Sequence, residues 1–107
     1  MSQFNDYQAW TNTTWKGAKD PRDNFTVAIF GLAGEVGEIL EKYKKHLRDG
    51  THFDLIDFEK ELGDVQYYIA QAAAQKDIPL QTVINTNQEK LNDRLRRGVL
   101  GGSGDNR

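Results

Sequence analysis

Four acidic residues stand in two pairs with the same spacing, Glu35 with Glu38 and Glu61 with Asp64. Residues three apart lie on the same side of an α-helix, so each pair places two carboxylates on one border of an apolar arc. If two such helices pack through their arcs, the four carboxylates converge, and converging anions repel unless a cation lies between them. Oxygen ligands without sulfur or imidazole suit Mg²⁺ or Mn²⁺. The spacing therefore predicts a divalent metal site.

The same acidic pairs have an ordinary alternative interpretation as solvated helix-face carboxylates paired with nearby lysines such as Lys42. Glycines inside the same predicted helices weigh against it, because each costs roughly 1 kcal/mol relative to alanine. Close helix approach or room for a ligand would each explain them. These glycines are Gly31, Gly34, Gly37 and Gly63.

Polar residues also interrupt the apolar stripe of the last predicted helix. Asn87 and Arg94 project near the centre of that stripe, and Lys90 lies on its flank. An arginine aimed into a core needs an anionic partner. One candidate partner for Arg94 is a core-facing acid of the other helices. The other is a substrate phosphate, held by all three side chains.

The elements that must position these residues are helical, because the chain shows little of the alternation typical of half-buried strands. Pro79 suits a first helical turn, and Gly50 suits a left-handed helix end. Short loops between the helices favour an all-α, antiparallel four-helix bundle. The predicted helices run from Phe4 to about Trp15, Phe25 to Arg48, Asp54 to Gln75 and Pro79 to Arg97, with a loop from Lys16 to Asp23.

Composition limits the remaining possibilities. The chain has 107 residues, which we interpret as one domain, 1–107, ending in a glycine-rich tail, 98–107. It has no cysteine, which excludes a thiolate zinc site and a cysteine nucleophile. The net charge of -2 argues against nucleic-acid binding. We expect no membrane span and a cytoplasmic location, since no segment has the roughly 20 apolar residues of a span.

Three segments in this order resemble a known family. They are Gly34-Glu35-Val36-Gly37-Glu38, Glu61-Leu62-Gly63-Asp64, and the helix segment from Asn87 through Lys90 to Arg94. Together they resemble the MazG-type nucleoside triphosphate pyrophosphohydrolases, all-α proteins of a superfamily that also contains dimeric dUTPases. The chain departs from the family pattern at Gly34, which stands where the full motif has its first glutamate.

The resemblance implies hydrolysis of a nucleoside triphosphate, in a deoxy form, to the monophosphate and pyrophosphate with Mg²⁺, and Mn²⁺ as a substitute. Glu35, Glu38, Glu61 and Asp64 would hold the metal, and Glu35 or Glu38 would orient or deprotonate the attacking water. Asn87, Lys90 and Arg94 would bind the phosphates. Trp10 is a further candidate, for stacking on the nucleobase.

Assembly is the last expectation. Two of the four helices carry acids on one border, and these acids cannot pack as core. A core of this size therefore has little surplus stability, and association with a second copy would add the missing stability. The resemblance also implies a homodimer or homotetramer. We expect an obligate homo-oligomer, whose mobile tail could reach a neighbour's phosphates. An alternative function from another class is a non-catalytic helical oligomerisation or adaptor module.

Overall fold

The computed structural model describes residues 2–107, and this part of the chain is helical with no strand. The all-α, bundle-like prediction is confirmed. A short 3-10 turn at Pro21–Asp23 precedes the second helix. The helices are α1 (Gln3–Thr11), α2 (Asn24–Asp49), α3 (Leu55–Ala74) and α4 (Leu80–Arg97).

Capping side chains and glycines set the helix boundaries. The hydroxyl of Ser2 accepts a hydrogen bond from the Asn5 amide at 3.1 Å, and the carboxylate of Asp54 accepts one from the Ile56 amide at 2.9 Å. Gly50 and Gly98 end α2 and α4 with φ of 73° and 72°, in the left-handed region that glycine adopts readily.

The first helix is shorter than predicted. It ends at Thr11, although the sequence predicted helix to about Trp15. Turns follow, and the Thr11 hydroxyl donates a hydrogen bond to the Gln8 carbonyl at 2.6 Å. Threonine hydroxyls compete with the backbone in this way, and a run of β-branched residues is a poor continuation of a helix.

Packing centres on α3, which lies against α2 along one face and against α1 on another. The start of α4 contacts α1 and α3, whereas no Cα of α4 comes within 8 Å of α2 in the described chain. Gln8 joins three elements: its amide nitrogen donates to the carbonyls of Ala70 (3.1 Å) and Ile78 (3.0 Å), and its oxygen accepts from the Leu80 amide at 2.8 Å. These bonds fix where α4 begins.

Much of the apolar surface remains exposed in the single chain. Among described residues, the fully buried hydrophobic positions are small apart from Leu80. The radius of gyration is 16.7 Å, against about 13 Å for a compact chain of this length. The apolar stripes of the sequence analysis are thus only partly covered. Their exposed members are Val36, Leu40, Tyr43, Leu55, Leu62, Val83, Leu91 and Leu95.

The glycine-rich tail folds back onto α4. The Arg94 guanidinium donates to the Gly104 carbonyl (3.3 Å), and the Arg97 guanidinium donates to the Arg107 carbonyl (2.6 Å). Positive φ angles at Gly98, Gly102 and Gly104 make the reversals possible. The tail therefore has a defined contact within its own chain, where the sequence suggested a mobile end. In the described part of the chain, no helix combines the length and apolarity needed to cross a membrane.

Candidate metal and substrate site

Three carboxylates from two helices converge where α2 packs on α3. One oxygen from each of Glu35, Glu38 and Glu61 lies within 4.8 Å of the other two. The spacing of Glu35 and Glu38 puts both on one side of α2, and Glu61 faces them from α3. Of the four carboxylates that the sequence predicted to converge, these three meet.

Asp64, the fourth predicted ligand, lies beside this group rather than within it. Its side chain is exposed, and it is not among the three carboxylates whose oxygens meet within 4.8 Å. Burial has the largest effect on the pKa of Glu35 and of Tyr7, and the charge of Asp64 helps to raise both. Asp64 therefore adds negative potential at the edge of the cluster.

Two oxygens of the cluster are buried without a hydrogen-bond partner, Glu35 Oε2 and Glu61 Oε2. Only 9% of Glu61 is exposed. A buried acceptor without a donor costs about 1–3 kcal/mol, and more when it is charged. A hard cation would supply the missing partner, and these oxygen donors are the type that Mg²⁺ or Mn²⁺ takes. The residues present thus fit a divalent metal.

Electrostatic repulsion is visible at Glu35. Burial raises the pKa of this carboxyl, and the charges of Glu38, Asp64 and Glu61 raise it further. Like charges at short range and desolvation both disfavour the ionised form. The cluster is therefore electrostatically unfavourable until positive charge is added.

Lys42 provides the positive charge that the chain itself brings to this region. Its ammonium lies 2.7 Å from Asp57 Oδ2 and 2.9 Å from Glu61 Oε1. The two hydrogen bonds, to Asp57 and then to Glu61, raise the pKa of Lys42. The sequence analysis considered Lys42 a partner for acids of a solvated helix face, whereas it joins α2 to α3.

Two aromatic side chains, Tyr68 and Trp15, lie on the side of Glu35. Tyr68 is close enough to Glu35 for that charge to raise its pKa, after the larger effect of burial. Trp15 packs edge-on against Tyr68 with ring centroids 6.4 Å apart, and its indole nitrogen is buried without a partner. A Cβ at Gly31 would run into the Tyr68 ring. The sequence analysis treated Trp15 as a core residue, and no signal in the sequence predicted an unpartnered indole here.

Close approach thus explains Gly31 but not the other helical glycines. A Cβ at Gly34, Gly37 or Gly63 would meet nothing within 4 Å. Of the two explanations considered for the helical glycines, close helix approach does not apply to these three within the single chain. The space beside them remains open to a ligand or a second copy.

Trp10, the candidate for nucleobase stacking, lies on α1 and is exposed. Its ring stacks at a tilt on Tyr7, with centroids 5.9 Å apart. The pKa of Tyr7 is raised by burial, by Tyr67 and by the charge of Asp64. Trp10 thus packs on Tyr7, and its stacking on a nucleobase stays a prediction.

Two cations of α4, Arg94 and Lys90, pair with the tail of their own chain. Arg94 is buried, and its guanidinium donates to Asp105 Oδ1 and to the Gly104 carbonyl, both at 3.3 Å. The Lys90 ammonium lies 3.1 Å from the same Asp105 oxygen. Of the two partners considered for Arg94, an acid of the other helices is not found among its ion pairs in the described chain, where Asp105 of the tail supplies the anion. A substrate phosphate stays a prediction.

Asn87 remains exposed on α4, in an open groove that also contains Lys90. The single chain thus keeps the carboxylates and the α4 cations in separate regions.

Two comparisons with known proteins give matches to this chain. Residues 25–98 match the sequence profile described as the MazG nucleotide pyrophosphohydrolase domain. The gene 37 protein of Mycobacterium phage L5 is similar, with 46% identity over 95 residues that span 85% of this chain and 83% of that protein. No solved structure gives a significant match.

Proposed function

The chain belongs to the MazG nucleotide pyrophosphohydrolase family, and on this premise we propose that it hydrolyses deoxynucleoside triphosphates to the monophosphate and pyrophosphate with Mg²⁺. The observation that carries the proposal is the carboxylate cluster with two buried oxygens that lack a partner. Glu35, Glu38 and Glu61 hold the metal, and Asp64 completes the set from its edge.

The bound Mg²⁺, or Mn²⁺ in its place, neutralises phosphate charge and makes water more acidic. Glu38, which is exposed at the cluster, accepts the proton of the attacking water. Glu35 helps to orient that water. The water oxygen adds to one phosphorus beside the oxygen that bridges the α and β phosphates. That bridge breaks, and pyrophosphate and the monophosphate leave.

The α4 side chains act on the phosphates in this proposal, with Lys90 and Arg94 neutralising charge and Asn87 donating hydrogen bonds. Because α4 stays away from α2 in its own chain, these groups reach a carboxylate cluster in a homodimer or homotetramer. The exposed apolar stripes of α2 and α4 support such an assembly. Trp15, which packs on the Tyr68 ring beside Glu35, and Trp10, which packs on Tyr7, are candidates for contact with the nucleoside.

The test measures pyrophosphate release from each deoxynucleoside triphosphate with and without Mg²⁺. Glu38→Gln should lower turnover by about 10²-fold or more, since removal of a general base has that effect. The matched control is Glu41→Gln, because Glu41 lies on the same helix, is exposed and pairs with Lys44 at 2.9 Å. Wild-type turnover in Glu38→Gln would contradict the mechanism. No release from any nucleotide would favour a non-catalytic helical module.

A further inference from the structure

Lys42 contacts the cluster at one point only. Its ammonium donates to Glu61 Oε1 at 2.9 Å and leaves Glu61 Oε2 buried without a partner. The free oxygen belongs to a carboxylate that meets Glu35 and Glu38. Glu61 thus accepts a hydrogen bond at one oxygen and keeps a second, buried oxygen without a partner, which is the arrangement of a metal ligand with an outer partner.

Asp57 holds the lysine in place from the same helix as Glu61. The Asp57 carboxylate lies one turn before Glu61 on α3 and accepts from Lys42 at 2.7 Å. The lysine ammonium thus has two acceptors at hydrogen-bonding distance, both on α3, while its backbone belongs to α2. This arrangement fixes the rotation of the Glu61 carboxylate relative to α2, where the other two carboxylates lie.

We propose that Lys42 is a positioning residue for the metal site: held by Asp57, it fixes Glu61 Oε1 so that Oε2 is presented to the cation. The inference rests on the proposed function, since it takes the cluster to be the metal site. A positioning role and a simple charge effect predict opposite changes in metal affinity when Lys42 is replaced. The loss of a positive charge beside a cation site would strengthen cation binding, whereas the loss of an outer-shell hydrogen bond to a ligand weakens metal binding about 10- to 100-fold.

The experiment measures Mn²⁺ binding by calorimetry, with no nucleotide present. Lys42→Met should raise the dissociation constant for Mn²⁺ about 10- to 100-fold. Lys42→Arg, which keeps the charge and a donor, should recover part of this loss. The control is Lys45→Met on the same helix, because Lys45 is exposed and makes no ion pair within 4.0 Å among the described residues. It should leave the constant unchanged or slightly lower. Circular dichroism confirms that each variant is folded.

The outcomes separate the inference from the function. Mn²⁺ binding by Lys42→Met that equals or exceeds the wild-type affinity overturns the positioning role and leaves the metal site intact. Tighter binding would show that the lysine competes with the cation for Glu61. A wild-type protein that binds no Mn²⁺ overturns the metal site and the inference with it. If Lys42→Met does not fold, the same comparison is made with Lys42→Gln, which also removes the positive charge and should also weaken binding.

Discussion

Single carboxylates decide the chemistry of the cluster, and the raised pKa of Glu35 shows the cost of bringing them together. Its pKa is raised by burial first and then by Glu38, Asp64 and Glu61. A carboxyl with a raised pKa in the folded state favours folding only while it is protonated, so its contribution is lost as pH rises through that pKa. Without metal, the ionised Glu35 therefore destabilises the protein at neutral pH.

We expect Glu35→Gln to raise the melting temperature of the metal-free protein at pH 7, because the substitution removes the buried charge. Each kcal/mol relieved corresponds to about 4–8 °C for a small domain. The measurement is thermal unfolding in a chelator at pH 5 and pH 7. The stabilisation should be smaller at pH 5, where Glu35 is closer to protonation in the wild type.

The control for this prediction is Glu59→Gln, an exposed acid on α3. It should leave the melting temperature nearly unchanged. Addition of Mg²⁺ should raise the wild-type melting temperature by mass action and should stabilise Glu35→Gln less. A melting temperature of Glu35→Gln below the wild-type value in the chelator would contradict the electrostatic account.

At the scale of elements, α4 and the tail form one unit through Asp105. The Arg94 side chain is only 5% exposed, whereas the Asp105 side chain that pairs with it is 80% exposed. Lys90 and then Arg94 lower the pKa of Asp105, so the carboxylate is anionic at neutral pH. An anion thus already occupies the two cations that the proposed function assigns to substrate phosphates.

Asp105→Asn should therefore lower the KM for a deoxynucleoside triphosphate and leave kcat unchanged, because it removes an anion that competes with phosphate for Lys90 and Arg94. The expected effect is modest, about two- to fivefold, since the Asp105 side chain is largely exposed and solvent screens its charge. Steady-state kinetics at low salt measure it. Asp93→Asn is the control, because Asp93 pairs with Arg96 and Arg97 instead. An unchanged KM in Asp105→Asn would remove this role for the tail.

At the scale of the whole molecule, the single chain leaves an apolar groove on the second half of α2 and the loop after it. The groove has a volume of about 800 Å³ and includes Leu40, Tyr43, Leu47, Phe53 and Phe58. The side chain of Leu47 is 68% exposed. Contiguous apolar surface of this kind is typical of an interface, which supports the proposed homo-oligomer.

Light scattering at low micromolar concentration should give at least twice the 12.2 kDa mass of one chain. Leu47→Glu should shift the mass toward one chain, because a buried charge at an apolar interface is unfavourable. Thr13→Glu, at an exposed turn after α1, is the control and should keep the assembled mass. A wild-type mass near 12.2 kDa in a fully active sample would contradict the assembly.

The sequence by itself determined the helices and the faces on which the chemistry lies. Periodicity depends only on local geometry, so the spacing of Glu35 with Glu38 was enough to place both on one side of α2. Capping residues and glycines gave most helix ends to within a residue or two. The end of α1 was missed because Thr11 and the turn after it stop the helix through side-chain hydrogen bonds.

Only the tertiary structure decided which atoms meet. A helical pattern gives the direction of a side chain but not the crossing of two helices, so the pattern could not separate Glu61, which joins the cluster, from Asp64, which stays at its edge. The partner of Arg94 depended on the reversal at Gly98, which brings Asp105 back over α4. The unpartnered oxygen of Glu61 depended on the reach of Lys42 across two helices. Contacts between residues far apart in sequence depend on packing and loop paths, which no local pattern encodes.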